Sequence, residues 1–338
     1  MRSFDPDMVG YVAPELLLAD LTVRDDEDAI GRGSFSQVFL GTLRRRTGGK
    51  PVDVVVKEYL SVAGRDVASF YDDEWDACRA LRECAGVAPF LGAAGVRKYL
   101  VWENIGVLSL ERALEAGDSV FNVARDAMPN ALGGSKTDEE KYRALAMSLA
   151  TSISSIHAMD MIHRDVKPAN ALLTARGVVM CDLGATADLE TGRGMDGEAI
   201  FDPTYGAPEQ FEVVETPSGA LSALFGRKSA SKSRALRATG ETPTVLFDAF
   251  SLGMTLLRLG VPSLRSATAI AQARKDIDAC GGDVVRWRKE VCVAGVNDWR
   301  LVDATDAWTT IARLTQPNPS TRWSVKDALT SGAFLKKK

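Results

Sequence analysis

His163-Arg164-Asp165-Val166-Lys167-Pro168-Ala169-Asn170, followed after a short apolar stretch by Cys181-Asp182-Leu183-Gly184, decides how this chain is read. Between Asp165 and Asn170 the loop carries a carboxylate, an ammonium and a neutral amide. Asp182 adds a second carboxylate beyond the stretch ALLTARGVVMCD, which reads as a hairpin turning at Arg176-Gly177. A base, a cation and two hard oxygen ligands are the parts that phosphoryl transfer needs. That chemistry asks for positioning and charge neutralisation and for little covalent work. A polar turn followed by a hairpin end is the plain alternative, but the whole string at this spacing is improbable by chance.

Upstream, Gly31-Arg32-Gly33-Ser34-Phe35-Ser36 is followed by the strand-like QVFLGTL. A dinucleotide fold would need a helix after its glycines. Strand, glycine turn and strand make either an ordinary hairpin or a flap whose backbone N–H groups lie over phosphates. Lys57 closes the apolar run VVVK, where it either snorkels to the surface or points inward. Over Arg65–Cys84 the pattern turns helical, with Phe70, Ala77, Cys78 and Leu81 on one face. Glu74 shares that face, and a carboxylate on an apolar face wants a cation, for which Lys57 is the candidate. Asp72, Asp73 and Glu83 compete with Glu74 for the role.

The first hundred residues therefore read as a small sheet with one helix, and VRKYLVWE (96–103) returns to strand. Thr137 opens a capping box with Glu140, followed by a helix with Tyr142, Leu145, Ala146, Leu149, Ala150, Ile153 and Ile156 at helical spacing. FDAFSLGMTLLRLG is apolar nearly all round and predicts a helix buried on every side. Residues 117–138 and 216–243 look inserted. The second carries Arg227, Lys228, Lys232, Arg234 and Arg237 and reads as a solvated loop, or as a contact for an acidic membrane surface near the substrate site.

The chain has 338 residues, 46% of them hydrophobic and 25% charged. At this length a fold buries roughly three-quarters of its unfolded surface, so no disulfide staple is needed. The net charge of −4 is too balanced to predict nucleic-acid binding. Five cysteines without CxxC spacing suggest free thiols in a reducing compartment. Two histidines and no Cys/His cluster argue against zinc. No apolar run reaches the ~18 residues of a membrane span, and the first residues lack a signal-peptide layout. The expectation is a soluble intracellular chain, or a soluble part of something longer.

Together these motifs resemble eukaryotic-type protein kinases over roughly residues 25–335. Ala207-Pro208-Glu209, Asp248 in FDAFSLG and Arg322 in PNPSTRW add to the likeness. The resemblance implies an α+β, bilobal protein-kinase-like fold: a 1–21 extension, a small β-rich N-lobe over 22–103, and a larger helical C-lobe over 104–338. ATP and Mg²⁺ would bind in the cleft between the lobes. Asp165 would orient the substrate hydroxyl and accept its proton, Lys167 would steady the transferring group, and Asn170 and Asp182 would hold Mg²⁺. Lys57, oriented by Glu74, would bind the α/β-phosphates. Ile30, Gly31, Arg32, Gly33, Ser34, Phe35, Ser36 and Gln37 would cover the nucleotide. Val38, Val55 and Leu172 would sandwich the adenine, Trp102 would be the gatekeeper, and Glu103 and Ile105 would offer hinge backbone. Glu209 and Arg322 would form a buried pair, and Asp248 would support the catalytic loop.

Four residues depart from the family pattern: Ser36 for the third glycine, Leu183 for Phe, Val55 for a smaller Ala, and Asp202 where a Thr is usual. Asp202 weakens strict Ser/Thr specificity, whereas Lys167 favours it. Arg164 often accompanies activation by loop phosphorylation, for which Thr186, Thr191, Thr204 and Tyr205 are candidates. Alternatively a built-in carboxylate (Glu190, Asp196, Glu198 or Asp202) partly satisfies Arg164. APEQFEVVETPS, VPSLRS, RWRK and LVDATDAW look like the chloroplast state-transition kinases of thylakoid membranes. Those phosphorylate light-harvesting antenna proteins, mainly on Thr, and carry an N-terminal membrane span and a lumenal cysteine pair that this chain does not show. The implied location is the chloroplast stroma or the stromal face of the thylakoid, with membrane-surface association open. A nucleotide-binding scaffold without activity, or a kinase of another pathway, is the alternative.

Overall fold

The computed structural model describes residues 15–16, 18–24, 29–33, 36–44, 50–60, 67–192, 202–216, 233–238, 242, 244–292 and 297–331. Ser34 and Phe35 of the flap, the loop residues Asp196 and Glu198, and most of the basic segment lie outside them. Within that segment, Ser233–Ala238 pairs as an antiparallel strand with Phe211–Thr216, which ends at its first residue.

A seven-stranded sheet opens the fold. Its order is Glu15–Leu16, Phe90–Ala94, Tyr99–Glu103, Val52–Tyr59, Ser36–Leu43 and Leu21–Val23, with Gly31–Arg32 also on Ser36–Leu43. The register runs from Ser36 against Tyr59 to Leu43 against Val52. Strand residues thus begin before residue 22, within the segment read as an extension. On Val52–Tyr59 successive side chains face opposite ways. Val54 and Val56 are fully buried in a small cluster with Leu43, Tyr99 and Val101. Val55, Lys57 and Tyr59 are on the other face, where Lys57 and Tyr59 reach Glu74 on the helix Val67–Ala80. That helix is shorter than the Arg65–Cys84 its apolar spacing suggested, and it buries Tyr71, Glu74, Ala77 and Cys78.

The rest of the described chain is mostly helical. Thr137 caps Asp138–His157 through the expected box: its hydroxyl accepts the Glu140 N–H at 3.2 Å. Residues 117–138, read as an inserted polar stretch, pack against the core. Val120–Ala127 and Pro129–Leu132 are helices, with Val120, Phe121, Ala124, Met128 and Leu132 buried. Their apolar residues recur at helical spacing, and the intervening polar residues are what obscured it. The hairpin pairs Ala171–Thr174 with Gly177–Met180. Gly177, at φ 127°, starts the second strand, so the turn centres on Ala175-Arg176, one residue earlier than expected.

Val245–Gly260 is the axis of the helical half and is buried continuously from Phe247 to Gly260. Gly253 permits this: a Cβ there would come within 2.5 Å of the Thr315 methyl. Arg322 ties the end of the chain to this axis. All five of its N–H donors are used, on both Glu209 oxygens (2.5 and 2.9 Å) and on the carbonyls of Gln316, Leu246 and Pro317. Its side chain is wholly buried. Breaking such a pair strands a charge, so Arg322→Met should cost about 3–5 kcal/mol of stability. Urea denaturation followed by tryptophan fluorescence reads this, and a midpoint equal to wild type would contradict it.

Candidate active site

The loop between Met161–Ile162 and Ala171–Thr174 is held from below by Asp248, a carboxylate of zero exposure on the buried helix. Asp248 Oδ2 accepts the His163 N–H and Oδ1 the Arg164 N–H, both at 2.8 Å. His157 Nε2 lies 2.9 Å from Oδ2. Burial alone would push the Asp248 carboxyl up. Its bonds to His157 and the loop outweigh that and leave it below the usual aspartate range. Arg164 itself takes a left-handed backbone (φ 66°), a costly conformation for a long side chain that the two amide bonds enforce.

Pinned in this way, the loop presents Asp165, Lys167 and Asn170 together. Lys167 Nζ and Asn170 Nδ2 both reach Asp165 Oδ2, at 2.7 and 2.8 Å, and Asn170 Nδ2 also donates to the Asp165 carbonyl at 2.9 Å. Burial raises the Asp165 carboxyl above the ordinary aspartate range against the pull of Lys167. Burial lowers the Lys167 ammonium, but Asp165 outweighs it and leaves it raised. Both amide hydrogens of Asn170 are spent on Asp165, so its Oδ1 is the atom it can offer to a cation.

Two backbone links register the hairpin against this loop. Cys181 N–H donates to the Asn170 carbonyl at 2.9 Å, and His163 Nε2 lies 3.1 Å from the Cys181 carbonyl. Asp182 follows at φ 61° and meets Lys57 from the sheet, Oδ1 to Nζ, at 2.7 Å. On its other side Lys57 Nζ bonds Glu74 Oε2 at 2.6 Å. Burial would pull the Lys57 ammonium down, yet Glu74, Asp182 and Tyr59 hold it well above the lysine range. The Lys57 charge depresses the Asp182 carboxyl below the usual aspartate range, outweighing the partial desolvation of a side chain that remains half exposed.

The structure thus brings Lys57, Glu74, Asp165, Lys167, Asn170 and Asp182 into one connected site. Glu74 has no exposure, whereas Asp73 and Glu83 are exposed and Asp72 pairs with Arg97 at 2.7 Å, which decides among the four carboxylates. Half-buried Val38, Val55 and Leu172 offer apolar surface. Val38 pairs with Lys57, and Val55 with Trp102. Trp102 lies against Phe90, which stacks edge-on with Trp75. Glu103 N–H is spent on the Pro89 carbonyl. Ile105 also lines a separate cavity of about 640 Å³ with Val87, Met147 and Val178, which none of the six site residues lines. Gly31 and Arg32 pair with Val38 and Gln37, and Gly33 N–H closes the turn on the Ser36 carbonyl at 2.8 Å.

Asp202 is engaged away from Arg164. Its side chain accepts the Thr204 N–H at 2.9 Å, and its own N–H donates to Asp165 Oδ1 at 3.3 Å. Among the described residues, the Asp248 carboxylate acts on Arg164, while the candidates Asp196 and Glu198 lie outside them. Cys181 is a half-buried thiol pushed up to about 12 by burial, in keeping with a packing role.

Two residues outside the sequence reading join the site. His157 carries no local signal, since it ends a helix 91 positions from its partner. Tyr59 donates its hydroxyl to Glu74 Oε2. Its signal was its position two residues beyond Lys57, on the same strand face.

The family described as protein tyrosine and serine/threonine kinase matches residues 25–219, more than half of the chain. The chain belongs to that family. Among relatives, this kinase-family chain is 26% identical to the serine/threonine-protein kinase STN7, chloroplastic, of Arabidopsis thaliana, over 93% of its own length and 58% of the relative's. It is 27% identical to STN8, chloroplastic, of the same plant, over 87% of its length and 66% of the relative's. It therefore spans less than two-thirds of each. The crystal structure of an Stt7 homolog from Micromonas algae soaked with ATP shares its bilobal fold at a TM-score of 0.74. That match covers 97% of this chain and 96% of the other at 22% identity. Among the described residues no helix is long and apolar enough to cross a membrane.

Proposed function

We propose that this chain is an ATP- and Mg²⁺-dependent protein kinase that transfers the γ-phosphoryl group to Ser or Thr, mainly Thr, of protein substrates. The single observation that carries the reading is the Lys57 bridge. One ammonium from the sheet joins a carboxylate on a helix to a carboxylate beside the loop of Asp165, Lys167 and Asn170. A scaffold without activity is the weaker reading, because no member of this set is missing.

The donor set suits Mg²⁺. Asn170 Oδ1 and an Asp182 carboxylate with half its side-chain surface open are hard oxygens, few in number. Mg²⁺ takes one or two such ligands and completes its shell with phosphate and water. No group of three or more His, Cys, Asp or Glu suited to a metal occurs among the described residues, as a two-ligand site of this kind requires none. When bound, the ion would neutralise charge on the phosphates. Lys57 would turn from Asp182 to the α/β-phosphates while keeping Glu74. Asp165 would orient the acceptor hydroxyl and take its proton, and Lys167, already at Asp165, would meet the negative charge of the transferring group. Val38, Val55 and Leu172 would hold the adenine, with Trp102, Glu103 and Ile105 along its edge and the flap 30–37 above it.

The likeness to two chloroplastic Ser/Thr kinases supports a chloroplast site of action. The segments resembling state-transition kinases extend this to the stromal face of thylakoids, with light-harvesting antenna proteins as substrates. Phosphosite mapping on thylakoid proteins incubated with Mg-ATP tests activity and substrate class together. The expected result is phosphothreonine on antenna proteins with wild type, and a loss of about 10²–10⁴-fold with Asp165→Asn, the range for removing a general base. Activity of Asp165→Asn within a few-fold of wild type would contradict the mechanism.

The pH dependence has a definite sign. Asp165 works as the carboxylate, and its raised pKa means that protonation begins at a higher pH than for an ordinary aspartate near ~3.9. Asp182, held down first by Lys57, stays ionised across that interval. The acid limb of kcat/KM should therefore show one ionisation displaced upward from the ordinary aspartate value. A limb at or below that value would contradict the assignment.

A further inference from the structure

Glu74 and Asp248 are the two carboxylate residues of zero exposure in the described core. Asp248 is held by two backbone amides and a histidine, so it does not depend on any one partner. Glu74 is held differently. Its Oε2 takes both the Lys57 ammonium and the Tyr59 hydroxyl, while Oε1 has no hydrogen-bond partner. Lys57 is also shared with Asp182. On the reading above, Lys57 must leave Asp182 for the nucleotide phosphates. Its ammonium is then shared between Glu74 and the phosphates, so a second donor on Glu74 would keep that carboxylate turned inward through the exchange.

Tyr59 meets that need. It lies on the Lys57 face of its strand and opposite Ser36 at the base of the flap, with its N–H fixed to the Lys98 carbonyl at 2.9 Å. Its ring stands edge-on to Tyr71, one turn before Glu74 on the helix, with centroids 5.3 Å apart and planes at 79°. The Lys57 ammonium lies 5.5 Å from the ring centroid. Burial and the Glu74 carboxylate raise the phenol far above the ordinary tyrosine range, so it stays a donor at every working pH. The ring packs the helix against the strand, and the hydroxyl aims the helix's one buried carboxylate.

We propose that Tyr59 is a positioning residue: its hydroxyl holds Glu74 inward while Lys57 exchanges Asp182 for the nucleotide phosphates. This inference rests on the kinase reading and names a member of the site beyond Lys57 and Glu74. Without the hydroxyl, Glu74 keeps only a lysine that has a competing carboxylate. Lys57 would then be less well set toward the phosphates, and nucleotide recognition would weaken while the protein-substrate side of the cleft stayed as it is.

Tyr59→Phe removes the hydroxyl and keeps the ring on Tyr71. A hydrogen bond to a charged group sets the expected loss in kcat/KM for ATP at roughly 10-fold, with KM for the protein substrate within about 2-fold of wild type. The affinity of an ATP analogue, measured by calorimetry in wild type, Tyr59→Phe, Glu74→Ala and the double variant, should fall with the first. It should change less than about 2-fold when Tyr59→Phe is added to Glu74→Ala, since the acceptor is already gone. If Glu74→Ala does not fold, Tyr59→Leu replaces that arm: a hydroxyl role predicts no more than about a further 2-fold loss beyond Tyr59→Phe, and a packing role predicts more. An unchanged kcat/KM in Tyr59→Phe beside an active wild type would overturn the inference alone, as would a full additive loss in the double variant. A wild type that binds the analogue and transfers no phosphate would instead overturn the kinase reading, and the affinity cycle would still test Tyr59.

Discussion

One ammonium joins the two halves of the site. Lys57 comes from the sheet, Glu74 from the helix beside it and Asp182 from the hairpin of the helical half, and the Lys57 Nζ lies within 2.7 Å of both carboxylates. Geometry alone would make this a mediocre stabilising device, because burying the Lys57 and Glu74 charges costs much of what the attraction returns. Its value is in being poised. Around the cleft two ammoniums, Lys57 and Lys167, face three carboxylates, Glu74, Asp165 and Asp182, so an excess of negative charge remains for a divalent cation to offset. The surplus lies on the exposed carboxylate of Asp182, and Glu74 is sealed away.

The rigid reference for this bridge is the helix Val245–Gly260. Its apolar surface is buried all round, so it cannot shift without unpacking the helical half. Asp248 on that helix fixes the amides of His163 and Arg164 and so fixes Asp165. Arg322 and Glu209 attach the chain's last helices and the segment after Asp202 to the same axis. The acid–base loop is therefore set by a buried core element. The lysine is set by a sheet strand whose other face is packed, and the two sides meet at Asp182.

Much of this was legible in the residues, for identifiable reasons. Asp165, Lys167 and Asn170 are polar residues within six positions of one loop, and no packing requirement explains them. Glu74 stood out because a carboxylate on an apolar helix face has to be paired. Val245–Gly260 declared itself by being apolar on every side. The polar look of 117–138 has a physical cause: Val120, Phe121, Ala124, Met128 and Leu132 are interspersed with Asn122, Arg125, Asp126 and Asn130, and composition outweighed period. Tyr59 was hidden because an aromatic at a strand end reads as core, and what its hydroxyl touches depends on a helix that begins eight residues later. The bonds of Asp202 to Thr204 and Asp165 were hidden for a similar reason, since a turn that folds a carboxylate back on its own amides leaves no mark in the order of residues.

The central claim is that Lys57, Asn170 and Asp182 converge on one Mg-nucleotide. A crystal structure of the chain with Mg²⁺ and a non-hydrolysable ATP analogue tests it most directly. The account predicts Lys57 Nζ on the α/β-phosphates with Glu74 still bonded to it, and the metal held by Asn170 Oδ1 and the Asp182 carboxylate. Nucleotide bound elsewhere, or bound here with Lys57 still on Asp182 and no metal at Asn170, would contradict it.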